Sequence, residues 1–332
     1  MLVLSADDLR VLVSMSDAIG AVREAFVALS AGRATVPVRT AVPLPVEGAV
    51  FLAMPASLPG LPALGAKLVS VFPQNRGTGR PVVQAVVALI DTHTGAPSAV
   101  IEGTSLTALR TGAATGLATD LLARRDAHIV TVFGAGAQAR TQLEAVCAVR
   151  HVTQARVVAR TAGHAEAFAR WALDQPWSRG ATVLAASSAD LAVRGADIII
   201  TATTSATPVF PGRLAAHGMH INAVGSFQDH TREVDSDLVA RSVIVVDSRE
   251  ATLAEAGDLV IPLREGRIAG PETWAELGEV AAGRPGRQRP DEITLFKSVG
   301  NAVQDLAVGA LAVRRAVETG RGHRVRLDVA AG

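Results

Sequence analysis

The chain has 332 residues, 49% of them hydrophobic and 19% charged, and a net charge of +1 at pH 7, which predicts about two globular domains and excludes a disordered chain. The balanced charge argues against nucleic acid as a partner, and no stretch approaches the roughly 20 apolar residues that span a membrane. A single cysteine, an acidic start and scattered histidines predict a cytoplasmic protein without disulfides, secretory signal or metal site.

The first part of the sequence predicts two helices followed by an antiparallel sheet. Ser5 and Asp8 form a candidate capping box for a short helix, and Ser16 is the predicted cap of a second helix that ends at Gly32. Extended segments separated by prolines and polar turns follow, which is typical of an antiparallel meander. These segments are residues 50–54, 65–72, 82–91 and 98–102.

Lysine is rare in this chain, and its two positions are therefore informative. Lys67 and Lys297 are the only lysines among 32 basic residues, and the others are arginines. Each lies in an apolar segment where a solvated ammonium group is not expected. Because lysine provides a compact charge with a tunable pKa, both are candidate functional residues. The alternative is that both escaped a compositional bias toward arginine.

A helix rich in small residues is predicted next, from Ser105 to Ala123, with Thr104 as its cap. Arg110 is the charged residue in the middle of this helix. Its guanidinium group is either solvated or turned toward a buried face, where it would bind an anion. The small, uncharged residues around it favour the buried arrangement.

From residue 128 onward, apolar strands alternate with helix-like stretches. Continuous apolar strands with helical crossovers are typical of a parallel sheet that is covered on both faces. A final helix is predicted from Asn301 to Thr319, and we expect it to return to the first domain. The predicted strands are residues 128–133, 155–159, 182–185, 197–201, 220–224 and 243–246.

The first of these strands is followed directly by Gly-Ala-Gly-Ala-Gln-Ala at residues 134–139. Between a strand and a helix, this spacing is a dinucleotide-binding fingerprint, in which the glycines permit a tight turn and close approach of a pyrophosphate to the backbone. The helix N-terminus attracts the phosphates. The alternative is a tight turn without a ligand. The predicted cofactor contacts in this segment are Gly134, Ala135, Gly136, Ala137 and Gln138.

The end of the second parallel strand bears on the choice between NAD and NADP. NAD-specific sites have an acidic residue here that bonds the ribose 2′-hydroxyl group. This chain has Ala159 instead, followed by Arg160 and Thr161, which could hold a 2′-phosphate. The sequence therefore predicts NADPH as the cofactor, with NADH possible. The alternative is that Arg160 is a solvated charge at the strand end.

Six segments occur in a characteristic order: residues 38–40, Lys67, and residues 106–114, 134–139, 221–225 and 295–300. Together they resemble the ornithine cyclodeaminase/mu-crystallin family over about residues 4–317. The resemblance implies an α/β fold with a Rossmann domain, a doubly wound parallel sheet, over residues 124–300. It also implies a substrate-binding and dimerisation domain over residues 1–123 and 301–332, so that the C-terminal helix completes this domain and the protein is a homodimer.

The resemblance further implies that Arg39, Lys67 and Arg110 line a site for the substrate carboxylate facing the nicotinamide. A small 2-imino acid carries a carboxylate beside its C=N bond, and two arginines and a lysine could hold it. Lys67 is a candidate proton donor if burial lowers its pKa, or else it only binds the carboxylate. Further predicted cofactor contacts are Arg110, Thr111, Ala202, Thr203, Val224, Ser226 and Ser298.

One departure from the family pattern distinguishes between its activities. Cyclodeaminases of the family have an acidic residue where this chain has Ser226, and serine without a partner is no general base near neutral pH. We therefore predict an NAD(P)H-dependent reductase that converts Δ1-pyrroline-2-carboxylate or Δ1-piperideine-2-carboxylate to L-proline or L-pipecolate. One alternative is an ornithine cyclodeaminase that uses Asp229. Another alternative is an alanine dehydrogenase-like enzyme. A third is an NADPH-dependent binding protein, and the 3% aromatic content disfavours this one.

Overall fold

The computed structural model describes residues 1–61 and 63–327. The chain divides into two compact units, Met1–Arg110 with Asn301–Gly332, and Thr111–Gly300. The boundary between Arg110 and Thr111 lies within a helix. The sequence analysis instead predicts a domain boundary after that helix, between residues 123 and 124. Residues 328–332, which belong to the predicted substrate domain, lie outside the described residues.

The helices and strands follow one another in this order. The first nine, ending with the helix that includes the boundary between Arg110 and Thr111, are β1 (Leu2–Leu4), α1 (Ala6–Leu12), α2 (Met15–Ser30), β2 (Thr40–Pro43), β3 (Val50–Leu58), β4 (Ala63–Val71), β5 (Val83–Ile90), β6 (Pro97–Glu102) and α3 (Gly103–Leu122). The second unit continues with β7 (Ile129–Phe133), α4 (Ala137–Val149), β8 (Gln154–Val158), α5 (Ala162–Leu173), β9 (Thr182–Ala185), α6 (Ala189–Val193), β10 (Ile198–Thr201), β11 (His220–Ala223), α7 (Ser236–Ala240), β12 (Ser242–Val246), α8 (Arg249–Glu255), α9 (Gly257–Arg264), β13 (Ala275–Glu276), α10 (Leu277–Ala281) and β14 (Ile293–Lys297). The chain then returns to the first unit with α11 (Ala302–Thr319) and β15 (His323–Arg324).

The sheet of the first unit has the strand order β15-β1-β6-β5-β4-β3-β2. Strands β2 to β6 are antiparallel neighbours, which confirms the predicted meander, and β1 lies parallel to β6. Helix α11 packs against β3, β4 and β5. Side chains alternate along β4, so that Lys67 and Val69 are buried while Leu64 and Leu68 are exposed. The alternation therefore places Lys67 on the buried face of this sheet.

The first two helices begin at serine caps. Helix α1 has the predicted capping box of Ser5 and Asp8. The predicted cap Ser16 of α2 is wrong, because Ser14 accepts a hydrogen bond from the Asp17 N–H and the Asp17 carboxylate accepts one from the Ser14 N–H. The helix consequently begins earlier than expected, and Ser16 lies inside it.

Helix α3 is capped by an acid rather than by the predicted threonine. The Glu102 carboxylate accepts hydrogen bonds from the N–H groups of Thr104 and Ser105 at 2.7 and 2.8 Å. Thr104 lies within the helix, and its hydroxyl oxygen accepts a hydrogen bond from the Ala85 N–H. An acid at this end of α3 also interacts favourably with the helix dipole.

The second unit is a Rossmann fold, which confirms the predicted doubly wound parallel sheet. Its strand order is β13-β12-β14-β11-β10-β7-β8-β9, with every pair parallel. The six predicted strands are present, and β13 and β14 are additional. The strand order reverses between β7 and β10, which is where such sheets bind ligands at their carboxyl ends. Within the described residues, no helix is both long and apolar enough to cross a bilayer.

Candidate functional site

The first unit brings together the three basic side chains that the sequence analysis selected. We define the cationic cluster as Arg39, Lys67, Arg110, Gln304 and Asp305. The Lys67 Nζ atom lies 2.9 Å from Asp305 Oδ2, and Arg110 Nε donates to Asp305 Oδ1 at 3.1 Å. Arg110 also donates from Nη1 to Gln304 Oε1 at 2.7 Å. The side chains of Lys67 and Asp305 are 3% and 0% exposed, so this ion pair is shielded from bulk water.

Three elements position the cluster, and α11 contributes the part that the sequence analysis missed. Asn301 caps α11, and the Gln304 side-chain oxygen accepts a hydrogen bond from the Asn301 N–H. Asp305 lies in the first turn, where the helix dipole favours a negative charge. The sequence did contain a signal for this contact, because Asp305 lies between the apolar residues Val303 and Leu306 on a buried helix face. An isolated carboxylate in such a place requires a partner.

Burial lowers the pKa of Lys67 to about 8, and the neighbouring positive charge of Arg110 contributes next. The Asp305 carboxylate opposes this shift, whereas the charge of Arg39 adds to it. The side chain is therefore mostly an ammonium group at neutral pH, but it can lose its proton in the mildly alkaline range. Two buried cations, Lys67 and Arg110, share the one carboxylate of Asp305, which leaves a surplus of positive charge for an additional anion.

In the second unit, the fingerprint has the shape that a pyrophosphate requires. Gly134 has a φ of 112°, and a Cβ atom there would lie 2.4 Å from the Ala202 carbonyl oxygen, so a larger residue does not fit. Gly136 is the N-cap of α4 without a side-chain hydrogen bond, and a Cβ atom there would meet nothing within 4 Å. Open space thus lies next to the N–H groups at this helix end, and the segment fits a dinucleotide phosphate.

The predicted 2′-phosphate residues follow β8 on the surface. Arg160 and Thr161 are both exposed. Thr161 caps α5, because its hydroxyl oxygen accepts a hydrogen bond from the His164 N–H and lies 2.9 Å from His164 Nδ1. Since the threonine hydroxyl has this local role, Arg160 is the stronger candidate for recognition of a phosphate.

The predicted contacts Ala202, Thr203, Val224 and Ser226 lie in the segments that follow β10 and β11. Ser226 is 4% exposed, and its hydroxyl group donates to the Thr231 carbonyl oxygen at 2.7 Å. No carboxylate therefore occupies this position.

Asp229, the acid of the cyclodeaminase alternative, is engaged in an ion pair. Its Oδ2 atom lies 3.1 Å from Arg264 Nη2, and its Oδ1 atom lies 3.2 Å from His230 Nδ1. Hydrogen bonds from Arg264 and His230 lower the pKa of Asp229. These partners hold the charged form, which weakens the side chain as a base.

Ser298 has an internal partner as well. Its hydroxyl group donates to Asp247 Oδ2 at 2.8 Å, and the same oxygen accepts hydrogen bonds from the N–H groups of Val299 and Gly300. Asp247 thus organises the turn after β14. Thr111, another predicted contact, is 9% exposed at the start of the second unit. Cofactor contacts from Ser298 and Thr111 stay predictions.

Lys297, the second selected lysine, lies in a different kind of cluster. Its Nζ atom is 2.8 Å from Asp258 Oδ2 and donates to the Ser226 carbonyl oxygen at 2.6 Å. Glu233 is the third charged member, and all three side chains are fully buried. We define these three residues, Glu233, Asp258 and Lys297, as the loop brace. The sequence analysis did not assign a role to Asp258 or Glu233.

The model of the ornithine cyclodeaminase/mu-crystallin family matches residues 1–320. The chain belongs to this family. A Delta(1)-pyrroline-2-carboxylate reductase of Bacillus cereus is 42% identical over 98% of this chain and 99% of the relative. The structure of Thermococcus litoralis Delta(1)-pyrroline-2-carboxylate reductase in complex with NADH and L-proline has a TM-score of 0.93 and 44% identity, over 98% of this chain and all of that one. An archaeal alanine dehydrogenase dimer with bound NAD has a TM-score of 0.91 and 33% identity, over 99% of both chains.

Membership of the ornithine cyclodeaminase/mu-crystallin family confirms the resemblance noted from the sequence segments. The family includes several activities, so the residues themselves have to distinguish between them. A buried serine with an internal hydrogen bond at position 226 and an ion-paired Asp229 provide no general base for ornithine cyclisation.

Proposed function

We propose that the protein is an NAD(P)H-dependent reductase that converts small cyclic 2-imino acids, Δ1-pyrroline-2-carboxylate or Δ1-piperideine-2-carboxylate, to L-proline or L-pipecolate. The observation that carries this proposal is the cationic cluster, in which buried Lys67 and Arg110 share the single carboxylate of Asp305. The surplus positive charge suits a substrate carboxylate, because a buried charge requires a partner. The relatives from Bacillus cereus and Thermococcus litoralis, matched over nearly the whole chain, support it.

Substrate binding requires a carboxylate clamp, and the arginines provide it. Arg110 is held by Asp305 and Gln304, so its guanidinium plane is already oriented before the substrate arrives. A planar guanidinium group pairs well with a carboxylate, and such pre-organisation lowers the entropic cost of binding. We assign Arg39 to the same clamp, because its charge acts on Lys67.

Lys67 provides the proton. Hydride adds readily to a protonated iminium ion and poorly to a neutral imine, so the ring nitrogen has to be protonated during reduction. With a pKa of about 8, the Lys67 ammonium group is populated at neutral pH and is acidic enough to give up its proton. Asp305 holds this ammonium group by the 2.9 Å ion pair.

A bound reduced nicotinamide cofactor supplies the hydride. The open helix end at Gly136 and the glycine turn at Gly134 would hold its pyrophosphate, and Arg160 would hold a 2′-phosphate. We therefore propose that NADPH is preferred and that NADH is also accepted.

We further propose a homodimer formed through the outer face of the sheet in the first unit. Exposed apolar side chains occupy three strands of this face, with Val42 on β2, Leu64 and Leu68 on β4 and Val86 on β5. Leu68 and Val86 are direct cross-strand partners, so the patch is continuous across β4 and β5. A second copy of the chain would cover it, and the alanine dehydrogenase relative is a dimer. Sedimentation should give a dimer for the unmodified protein and a monomer for Leu68→Glu; dimers of both would contradict this interface.

The activity is tested by offering two substrates to the purified protein. With NADPH and Δ1-pyrroline-2-carboxylate we expect loss of nicotinamide absorbance and formation of proline. With ornithine and NAD we expect no ammonia. Ammonia release from ornithine without net change of the cofactor would instead identify a cyclodeaminase, and no change in either assay would contradict the proposed reductase.

A further inference from the structure

Glu233 has no place in the proposed chemistry, yet it is one of the most completely hydrogen-bonded acids of the second unit. Its Oε1 atom accepts from the Thr203 N–H and the Thr203 hydroxyl group, both at 2.6 Å. Its Oε2 atom accepts from the Thr201 hydroxyl group at 2.8 Å and from the Gly225 N–H at 2.7 Å. The side chain is fully buried, so this carboxylate faces protein donors rather than water.

These donors come from the carboxyl ends of two adjacent strands. Thr201 ends β10 and Thr203 follows it, whereas Gly225 follows β11. The two segments are in close contact, because a Cβ atom on Gly225 would lie 2.3 Å from the Thr203 carbonyl oxygen. One carboxylate therefore joins both segments at the edge of the sheet where a dinucleotide binds.

The segment after β10 also contacts the fingerprint. The Ala202 carbonyl oxygen lies so near Gly134 that a Cβ atom there would be 2.4 Å away. In a Rossmann fold, the strands on the two sides of the reversal bind the two halves of the dinucleotide. The fingerprint side, β7 and β8, would therefore hold the adenosine half, and the segments after β10 and β11 would hold the nicotinamide half.

The rest of the loop brace holds Glu233 in place. Asp258 Oδ1 accepts hydrogen bonds from the N–H groups of Glu233 and Val234 at 2.6 and 3.0 Å. Lys297 pairs with Asp258 and also holds the Ser226 carbonyl oxygen. Burial raises the pKa of Glu233, as does the charge of Asp258, while Lys297 opposes them. The loop brace therefore fixes both the Glu233 backbone and the Ser226 carbonyl group next to Gly225.

We infer that Glu233 is a positioning residue for the nicotinamide half of the bound cofactor, because it fixes the segments after β10 and β11 in one geometry. This inference rests on the proposed function only in requiring that the cofactor is a nicotinamide dinucleotide. It predicts that damage to the loop brace weakens binding of the nicotinamide half and leaves binding of the adenosine half unchanged.

Glu233→Gln is the decisive variant, because each carboxylate oxygen accepts a backbone N–H, one from Thr203 and one from Gly225. Whichever way the glutamine amide is turned, its NH2 group faces an N–H donor. Thr201→Val is a milder variant that removes one hydrogen bond from a fully buried side chain and keeps its shape. It keeps the test informative if the glutamine variant does not fold.

The matched control is Glu279→Gln. Glu279 is also a multiply hydrogen-bonded acid of the second unit, accepting from Arg249, Arg284 and the Glu276 N–H, but it lies in α10. The ligands for isothermal titration are NADH and ADP-ribose, which has the adenosine and pyrophosphate groups but no nicotinamide. A general loss of stability would affect both ligands, whereas loss of positioning affects NADH alone.

For Glu233→Gln we expect the Kd for NADH to rise about tenfold or more, because segments that relax around the unsatisfied donor have to be ordered again before they bind the nicotinamide half. The Kd for ADP-ribose should stay within about twofold of the unmodified protein, as should both values for Glu279→Gln. Thr201→Val should give a smaller change in the same direction. Equal weakening of both ligands, or no change in either, would overturn the inference. Because no imino acid is present, failure of the reductase assay leaves this comparison intact.

Discussion

Lys67 and Lys297 are both buried and both paired with an aspartate at less than 3 Å, yet their surroundings have opposite charge. Lys67 is accompanied by the buried cation Arg110, and the two share one carboxylate, that of Asp305. Lys297 is accompanied by two carboxylates, those of Asp258 and Glu233. The first cluster has a surplus of positive charge, and the second has one carboxylate more than its ammonium group can balance.

This difference separates a binding site from a scaffold. In the loop brace, the remaining carboxylate is satisfied by hydroxyl and backbone donors of the protein itself, so nothing is left for a ligand. In the cationic cluster, the surplus charge can be balanced by a substrate. A buried lysine alone therefore does not indicate a binding site. A binding site is indicated when the charges of the lysine and its neighbours leave a surplus that the protein itself does not balance.

The largest expected effect is on activity at Lys67. Lys67→Met should lower kcat/KM for imine reduction about 10³-fold, because general acid catalysis contributes on the order of 10²–10⁴-fold. Asp305 keeps Arg110 as a partner, so the free energy of unfolding should change little. Steady-state kinetics and urea unfolding measure the two quantities. Substantial residual activity would contradict a role for Lys67 as the proton donor.

Lys67→Arg sharpens this result, because arginine keeps the positive charge but does not release its proton. If Lys67 donates a proton, this variant should be nearly as inactive as Lys67→Met. Activity close to that of the unmodified protein would assign Lys67 to the carboxylate clamp alone.

The corresponding substitution at Lys297, in the second unit, should mainly affect stability. Lys297→Met leaves the buried carboxylates of Asp258 and Glu233 without their cation. Breaking a buried ion pair from one side costs about 3–5 kcal/mol, so we expect a decrease of that order in the free energy of unfolding. Chemical denaturation tests this. If Lys297→Met is as stable as Lys67→Met, the distinction between the two clusters is wrong.

The sequence was informative where a local signal existed. The fingerprint at residues 134–139 and the two rare lysines were recognisable because spacing and composition are local properties. Asp305 was missed because its partner Lys67 lies far away in the chain, and only the packing of α11 against β4 joins them. Glu233 was missed for the same reason, since its donors come from the ends of separate strands.

The errors at helix starts have a similarly physical origin. Ser14 and Ser16 are both acceptable caps by residue type, and the choice depends on which backbone N–H each hydroxyl reaches. At α3, the carboxylate of Glu102 at the end of β6 accepts the hydrogen bonds from the first helix N–H groups, so Thr104 is not the cap. Residue preference alone does not resolve neighbouring candidates of equal propensity.

A smaller effect is expected from pH, and it tests the charge balance of the cationic cluster. The ammonium form of Lys67 is the proton donor, and it is lost as the pH rises through its pKa of about 8. Imine reduction should therefore decline above about pH 8, by about tenfold for each further pH unit. The reverse oxidation of the amino acid requires the neutral amine, so it should rise over the same range. A flat reduction profile up to about pH 10 would contradict the assignment of Lys67.

Asp305→Asn provides the matched variant for that profile. The Asp305 charge and its hydrogen bond raise the pKa of Lys67 against the effects of burial and Arg110. Removing this carboxylate should move the alkaline decline to lower pH, while Lys297 and the loop brace are unaffected. An alkaline limb that stays in place would mean that another group controls it.

The smallest expected effect concerns an exposed cation of the second unit, which contrasts with the internally paired Lys297. Arg160 lies after β8, beside the cap of α5. Arg160→Asp should lower the preference for NADPH over NADH about tenfold, because a hydrogen bond to a charged group contributes roughly 1.5–3 kcal/mol. Arg170→Asp, an exposed arginine in the last turn of α5, is the control of equal charge change. Equal shifts of the NADPH-to-NADH ratio in both variants would mean that only the overall surface charge acts. If Arg160→Asp alone shifts the ratio, Arg160 binds the 2′-phosphate. The second unit then selects its ligand by an exposed cation, whereas its buried lysine, Lys297, only stabilises the loops.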